Sequence, residues 1–290
     1  MKKYAVLFAL ALASQLFQGQ IVNEPKNHPK EWSKPYEPFR IAGNLYYVGT
    51  YDLASYLIVT DKGNILINTG LADSLPMIKN NIKKLGFKYQ DTKILLLTQA
   101  HYDHLGAMAA IKKETGAKLY VNQADAEVVK SGGKSDYEMG KYGITFAPIH
   151  PDYLLKDKDV ISLGNAQLMM LHHPGHTKGS CSFLFETKDQ KRKYKVLIAN
   201  MPTIIVDKNF SEVTAYPSIE KDYEYTLNAM KNLDFDIWVA SHASQFGLLE
   251  KRKPKDQYNP AIFMNKKEYM DEVDSLEKAF LKKKSGKKNN

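Results

Sequence analysis

The sequence has one cysteine, Cys181, in 290 residues, so an intramolecular disulfide is excluded and the fold must rest on its core. No apolar run reaches the roughly 20 residues that cross a bilayer. The one near the start, residues 4–13, follows Lys2 and Lys3 and precedes a short polar stretch, the layout of an export signal. We place that signal at residues 1–19 and expect a single domain over 20–290, with no membrane anchor. No cysteine follows the signal to accept lipid, and export without disulfides fits a bacterial periplasm. No break in composition marks a second domain, and 43% hydrophobic residues suffice for one large core. No aromatic-plus-basic platform for nucleic acid stands out. Of the formal charge of +9, two lysines lie in the signal and five in the tail after residue 281, leaving about +2 on the body. We expect no nucleic-acid partner and a monomer. No solenoid repeat and no Gly-x-Ser-x-Gly nucleophile elbow occur.

What is present alternates between strands and helices. Residues 39–50, 54–60 and 64–69 read as three successive strands, with turn chemistry at Gly43-Asn44 and Asp61-Lys62-Gly63-Asn64. Residues 71–85 read as an amphipathic helix stopped by Gly86, and 93–97 as a buried strand. Further strands are expected at 118–122, 160–163, 167–171, 182–186, 194–199 and 237–240. Helices are expected at 105–113, 123–130, 220–233 and 266–284. Residues 21–38, with four prolines, suggest an extended arm, and 131–151 a loop over a surface or an active site. The order is that of an α/β protein with two β-rich layers between helices.

The densest chemistry lies between the strand at 93–97 and its helix, in Gln99-Ala100-His101-Tyr102-Asp103-His104. Gln99 and His101 are alternate residues of an extended segment and point to one side. Asp103 and His104 follow the turn. Imidazole nitrogen and carboxylate oxygen are good zinc donors, and this group suits one ion or two ions a few ångströms apart. The plain alternative is a polar turn that caps the helix. Two further segments place histidine just after a strand: Leu171-His172-His173-Pro174-Gly175-His176-Thr177-Lys178-Gly179-Ser180, and Ser241-His242. His176 sits where the Pro-Gly turn projects it; His172 and His173 are chemically equal candidates that need not face the same site. His28 and His150, in proline-flanked loops, read as bystanders.

These three segments closely resemble the metallo-β-lactamase superfamily, over most of the chain from about residue 39 to the final helix. Glutamine at position 99, with the export signal and the single cysteine, is similar to the GOB-type enzymes in the third subclass of class B. The resemblance implies an αβ/βα four-layer sandwich with a two-zinc groove and hydrolysis of penicillins, cephalosporins and carbapenems, hence antibiotic resistance. Carried over, Gln99, His101 and His176 hold one zinc, and Asp103, His104 and His242 the other. Gln99 offers only a neutral amide oxygen, so the Asp103 site is expected to be the tighter. Zinc lowers the pKa of bound water to roughly 7, and Asp103 is expected to be catalytic, orienting that water. Residues 198–202 carry no carboxylate to bridge two metals, and Met201, a poor donor, is expected to pack. Thr203 is a candidate partner for the substrate carboxylate. A lactonase or thioester hydrolase on the same scaffold, or a non-catalytic zinc-binding protein, are the alternative readings.

Overall fold

Short strands with an unbroken apolar run must be covered on both faces, and three of them show how. The computed structural model describes residues 22–286. The segment read as an export signal and the last two lysines of the tail lie outside these residues. In β3 (Tyr56–Thr60), β4 (Gly63–Ile67) and β5 (Thr92–Leu96), Ile58, Ile65, Ile67, Ile94 and Leu96 face one core. The alternate residues Leu57, Leu66 and Leu95 face another, as the period of two requires. Each such buried side chain contributes about 1.5–3 kcal/mol relative to exposure, enough to fix the register of every strand.

These strands belong to a seven-stranded mixed sheet in sequential order. It is completed by β1 (Phe39–Ala42), β2 (Leu45–Tyr47), β6 (Lys118–Asn122) and β7 (Tyr153–Leu155). The pairs β4–β5, β5–β6 and β6–β7 are parallel. The second sheet has five strands, β8 (Val160–Leu163), β9 (Ala166–His172), β10 (Cys181–Lys188), β11 (Lys193–Ala199) and β12 (Ile237–Ala240), in the order 12-11-10-9-8. Only β11–β12 is parallel within it.

Leu168, Met170, Phe183 and Phe185 of the second sheet share the first core with Ile58 and Ile65. That core continues past Trp238 to Tyr223, Leu227 and Met230 of α5 (Ile219–Lys231) and Tyr269, Val273 and Phe280 of α7 (Lys266–Lys284). The other face of the first sheet is covered by α1 (Leu75–Lys84), α3 (Met108–Thr115) and α4 (Ala126–Ser131). The layers run helix, sheet, sheet, helix, as expected from the sequence. No helix among the described residues is long and apolar enough to cross a membrane.

Some expected elements are redrawn. Residues 39–50 form two strands, because Gly43 turns the chain at φ +52° between them. The helix expected at 105–113 is split into α2 (Tyr102–Leu105) and α3 by Gly106 and Ala107. A Cβ on Gly106 would meet the Ala72 amide at 2.5 Å, so that point is pressed against the loop after β4. The short strand β7 and the one-turn helix α6 (Leu248–Lys251) have no expected counterpart.

Candidate metal centre

The candidate donors sit in the segments that follow the carboxyl ends of strands, where open α/β sheets place ligands. The loop after β5 carries Gln99 and His101 and leads into α2, which carries Asp103 and His104; the loop after β9 carries His176; His242 follows β12 by two residues. Three buried polar groups hold these loops in register. Asn68 at the end of β4, at φ +57°, accepts from the Thr98 amide at 2.9 Å, and its own amide reaches Thr98 Oγ1 at 3.0 Å. Thr98 Oγ1 lies 2.9 Å from Ser241 Oγ, beside His242. Asp125 joins the loops after β5 and β9: Oδ2 accepts from the Ala100 amide at 3.0 Å and Thr177 Oγ1 at 2.7 Å, and Oδ1 from the Gly179 amide at 2.7 Å. Only glycine fits at 179, since a Cβ there would stand 2.5 Å from the Asp125 amide.

The donors converge in two groups. His101 Nδ1 and His176 Nε2 face each other at 3.1 Å, with ring centroids 4.9 Å apart. Asp103, His104 and His242 each offer a donor atom within 4.8 Å of the others. Asp103 Oδ2 is 3.2 Å from His104 Nε2 and 3.5 Å from His242 Nε2. Gln99, 4% exposed, lies in the loop immediately before His101. Both ring nitrogens of His104 are buried without a hydrogen-bond partner. Buried polar atoms are ordinarily satisfied, and facing imidazole nitrogens beside a carboxylate fit a zinc donor set.

The groups behind these donors set tautomer and charge. His176 Nδ1 lies 2.8 Å from the Thr203 carbonyl, an acceptor only, so this nitrogen bears the proton and Nε2 is left facing His101. Burial, and then His101, push the His176 pKa down to about 3. His101 Nε2 lies 3.5 Å from Asp136 Oδ2, a close approach without hydrogen-bond alignment. Burial opposes a charge on His101, but Asp136 outweighs it and raises the pKa. His242 Nδ1 meets Asp52 Oδ2 at 3.2 Å. Burial works against this imidazolium too, yet Asp103 and Asp52 raise it to about 9. Burial would also raise Asp103, but His104 and His242 hold it well below the usual carboxylate range.

Of the other sequence candidates, His172 lies outside the group, its Nδ1 at 2.8 Å from Asn122 Nδ2. His173 turns to Ser182 Oγ at 2.7 Å. Thr203 stands behind His176, its hydroxyl 3.0 Å from Nδ1. Met201 is buried in the core. His28 stacks on Trp32 at 6.2 Å.

Asp52, Asp125, Asp136 and Trp32 were not singled out from the sequence. Each is a lone residue without a chemical cluster around it in sequence, and its role exists only once distant segments meet. The loop over 131–151 does reach the site, through Asp136 and through Tyr137, whose hydroxyl donates to the His176 carbonyl at 2.9 Å. It is stitched to the N-terminal arm: the Asn23 amide donates to Thr145 Oγ1, the Thr145 amide to the Asn23 carbonyl, and Asn23 Nδ2 to the Gly143 carbonyl.

Residues 50–189 match the family model of the metallo-beta-lactamase superfamily. Among solved structures, the metallo-beta-lactamase GOB-18 from Elizabethkingia meningoseptica is 70% identical, with a TM-score of 0.91, over 91% of this chain and 98% of that one. The class B3 di-zinc metallo-beta-lactamase LRA-12 from an Alaskan soil metagenome is 66% identical, with a TM-score of 0.89, over 90% and 99%. More distant is an N-acyl homoserine lactonase from Bacillus sp, 24% identical over 61% of this chain and 73% of that protein. At 70% and 66% identity over about nine tenths of its length, to enzymes aligned over nearly their whole length, the chain belongs to the class B3 metallo-β-lactamases.

Proposed function

We propose that this protein hydrolyses the amide bond of the β-lactam ring in penicillins, cephalosporins and carbapenems, at a groove for two zinc ions, and so confers resistance. Gln99, His101 and His176 are assigned to one ion, as in a GOB-type glutamine variant, and Asp103, His104 and His242 to the other. One observation carries the reading: His104 is fully buried with neither ring nitrogen hydrogen-bonded, against an ionised Asp103 and a third donor on His242. Bound zinc supplies Lewis acidity and brings the pKa of a coordinated water to roughly 7, which removes the need for a protein nucleophile.

The residues of the chain supply the rest. Asp103, held as a carboxylate, accepts a proton of the attacking water and orients its lone pair toward the lactam carbonyl. His176 shares its Nδ1 proton between the carbonyl and the hydroxyl of Thr203. The Thr203 hydroxyl proton is then left to donate to the substrate carboxylate. The Asp103 site carries a formal charge and two imidazoles, whereas Gln99 adds only a neutral oxygen, so the Asp103 site fills first. Export to the periplasm, where β-lactams meet their targets, accords with the leading segment of the sequence.

Absorbance of a carbapenem and of a homoserine lactone reporter, each followed with zinc-loaded protein and with chelator, tests the assignment. Chelator-sensitive loss of the carbapenem chromophore is expected. Turnover of the lactone alone would transfer the protein to the lactonases, and turnover of neither would leave a zinc-binding protein.

A further inference from the structure

Asp52 stands behind His242, and one of its oxygens serves two donors. Oδ2 lies 3.2 Å from His242 Nδ1 and accepts from the indole Nε1–H of Trp32 at 3.1 Å. Oδ1 accepts from the Ser244 amide at 2.9 Å. The Trp32 ring packs 5.6 Å from the His242 ring and 6.2 Å from that of Tyr102, the neighbour of Asp103. An aspartate rotates broadly about its last torsion when little holds it. Here both oxygens are pinned, and the indole N–H pins the one that meets His242.

We propose that Trp32 is a positioning residue for zinc. By holding Asp52 Oδ2 it fixes the His242 ring with Nε2 turned toward Asp103, and so sets the affinity of the Asp103/His104/His242 site without touching the other. The proposal rests on the ligand assignment above. Its physical content is preorganisation: the ordering of His242 is completed on folding rather than on metal binding. The indole comes from the N-terminal arm, which is itself anchored where Glu24 accepts from the Ala72 amide at 3.0 Å. The arm thereby becomes part of the metal centre although it contributes no donor to it.

The test is zinc titration of the full chain against a chromophoric chelator, with both sites fitted. Trp32→Phe keeps an aromatic ring and removes the N–H. It is expected to weaken one site about tenfold, the lower end for partners behind a ligand, and to leave the other unchanged. Asp52→Ala is expected to weaken the same site by about 10–100-fold. In the Asp52→Ala background, Trp32→Phe should add nothing, because the path it acts through is gone. Equal losses from Trp32→Phe in both backgrounds, or no loss in either, would overturn the proposal. Should Trp32→Phe fail to fold, benzothienylalanine at position 32 keeps the indole shape without the N–H, and an unchanged affinity there overturns it equally. His242→Ala separates this from the ligand assignment: it must abolish one site, and two intact sites in that variant would remove the assignment itself.

Discussion

The two donor groups share the segment after β5, yet their electrostatics differ. His101 and His176 face each other in a site where burial keeps His176 neutral, with a pKa pushed down to about 3, and its back is held by the uncharged Thr203. Asp103, His104 and His242 form a charged site, where two carboxylates flank His242 and raise it to about 9. Burial is similar in both, so desolvation does not distinguish them; His101 has one carboxylate behind it, Asp136, whereas His242 stands between two. On the proposed assignment, one scaffold offers zinc a charged donor set and a neutral one side by side, separated by two positions of one segment.

The sharpest way to break this contrast is Asp103→Ala, which removes the charge of the stronger site. Carbapenem turnover is expected to fall by about 10²–10⁴-fold, the range for a positioned acid–base group. Circular dichroism should stay near native, since Asp103 belongs only to the four-residue helix α2; near-normal turnover would refute its role. Next comes Asp125→Ala. It strands three buried donors from the two loops that carry His101 and His176. At about 1 kcal/mol or more for each, roughly 3 kcal/mol of stability should be lost. That corresponds to a fall in Tm of several degrees, read by thermal unfolding. An unchanged Tm would show that the loops hold their register without the carboxylate.

Metal removal gives the next effect. At zinc a hundredfold above Kd, each filled site adds about 2.7 kcal/mol, so graded chelation should lower Tm in two steps. Anomalous diffraction on partly stripped crystals should show the Gln99 site emptied first. Loss of the Asp103-site ion first would invert the ranking. The smallest effect is expected from Gln99→His, which replaces an amide oxygen by an imidazole. Zinc affinity of the weaker site should rise by about tenfold, or roughly 1.4 kcal/mol, with the stronger site unmoved. Competition with a chelator measures both.

How far the sequence reaches can be judged from the same residues. The loop from Gln99 to His104 is legible because its chemistry is dense and it follows an apolar strand. His176 and His242 are legible because each ends a strand or a Pro-Gly turn. Asp52 and Asp125 carry no such mark, since a lone aspartate in a loop looks alike whether it faces solvent or orients an imidazole. Trp32 is hidden for a related reason: its partner oxygen lies 20 positions away in another segment. The layers were legible because apolar runs such as Ile65-Leu66-Ile67 need cover on both faces. The break at Gly106 was not, because it answers a contact with Ala72, on the loop after another strand. The short strand β7 escaped because two of its three residues, Tyr153 and Leu154, are exposed, so no alternation marks it.

The stitching of Asn23 to Gly143 and Thr145 has a consequence for how such a groove changes its selectivity. Asp125 ties together the two loops that carry His101 and His176, whereas the 131–151 segment is tied to the N-terminal arm. The 131–151 segment and the N-terminal arm are laced by three hydrogen bonds, two of which use a side chain, Thr145 Oγ1 and Asn23 Nδ2. A graft of the 131–151 segment from a relative therefore carries its new shape only if the matching stretch around Asn23 travels with it.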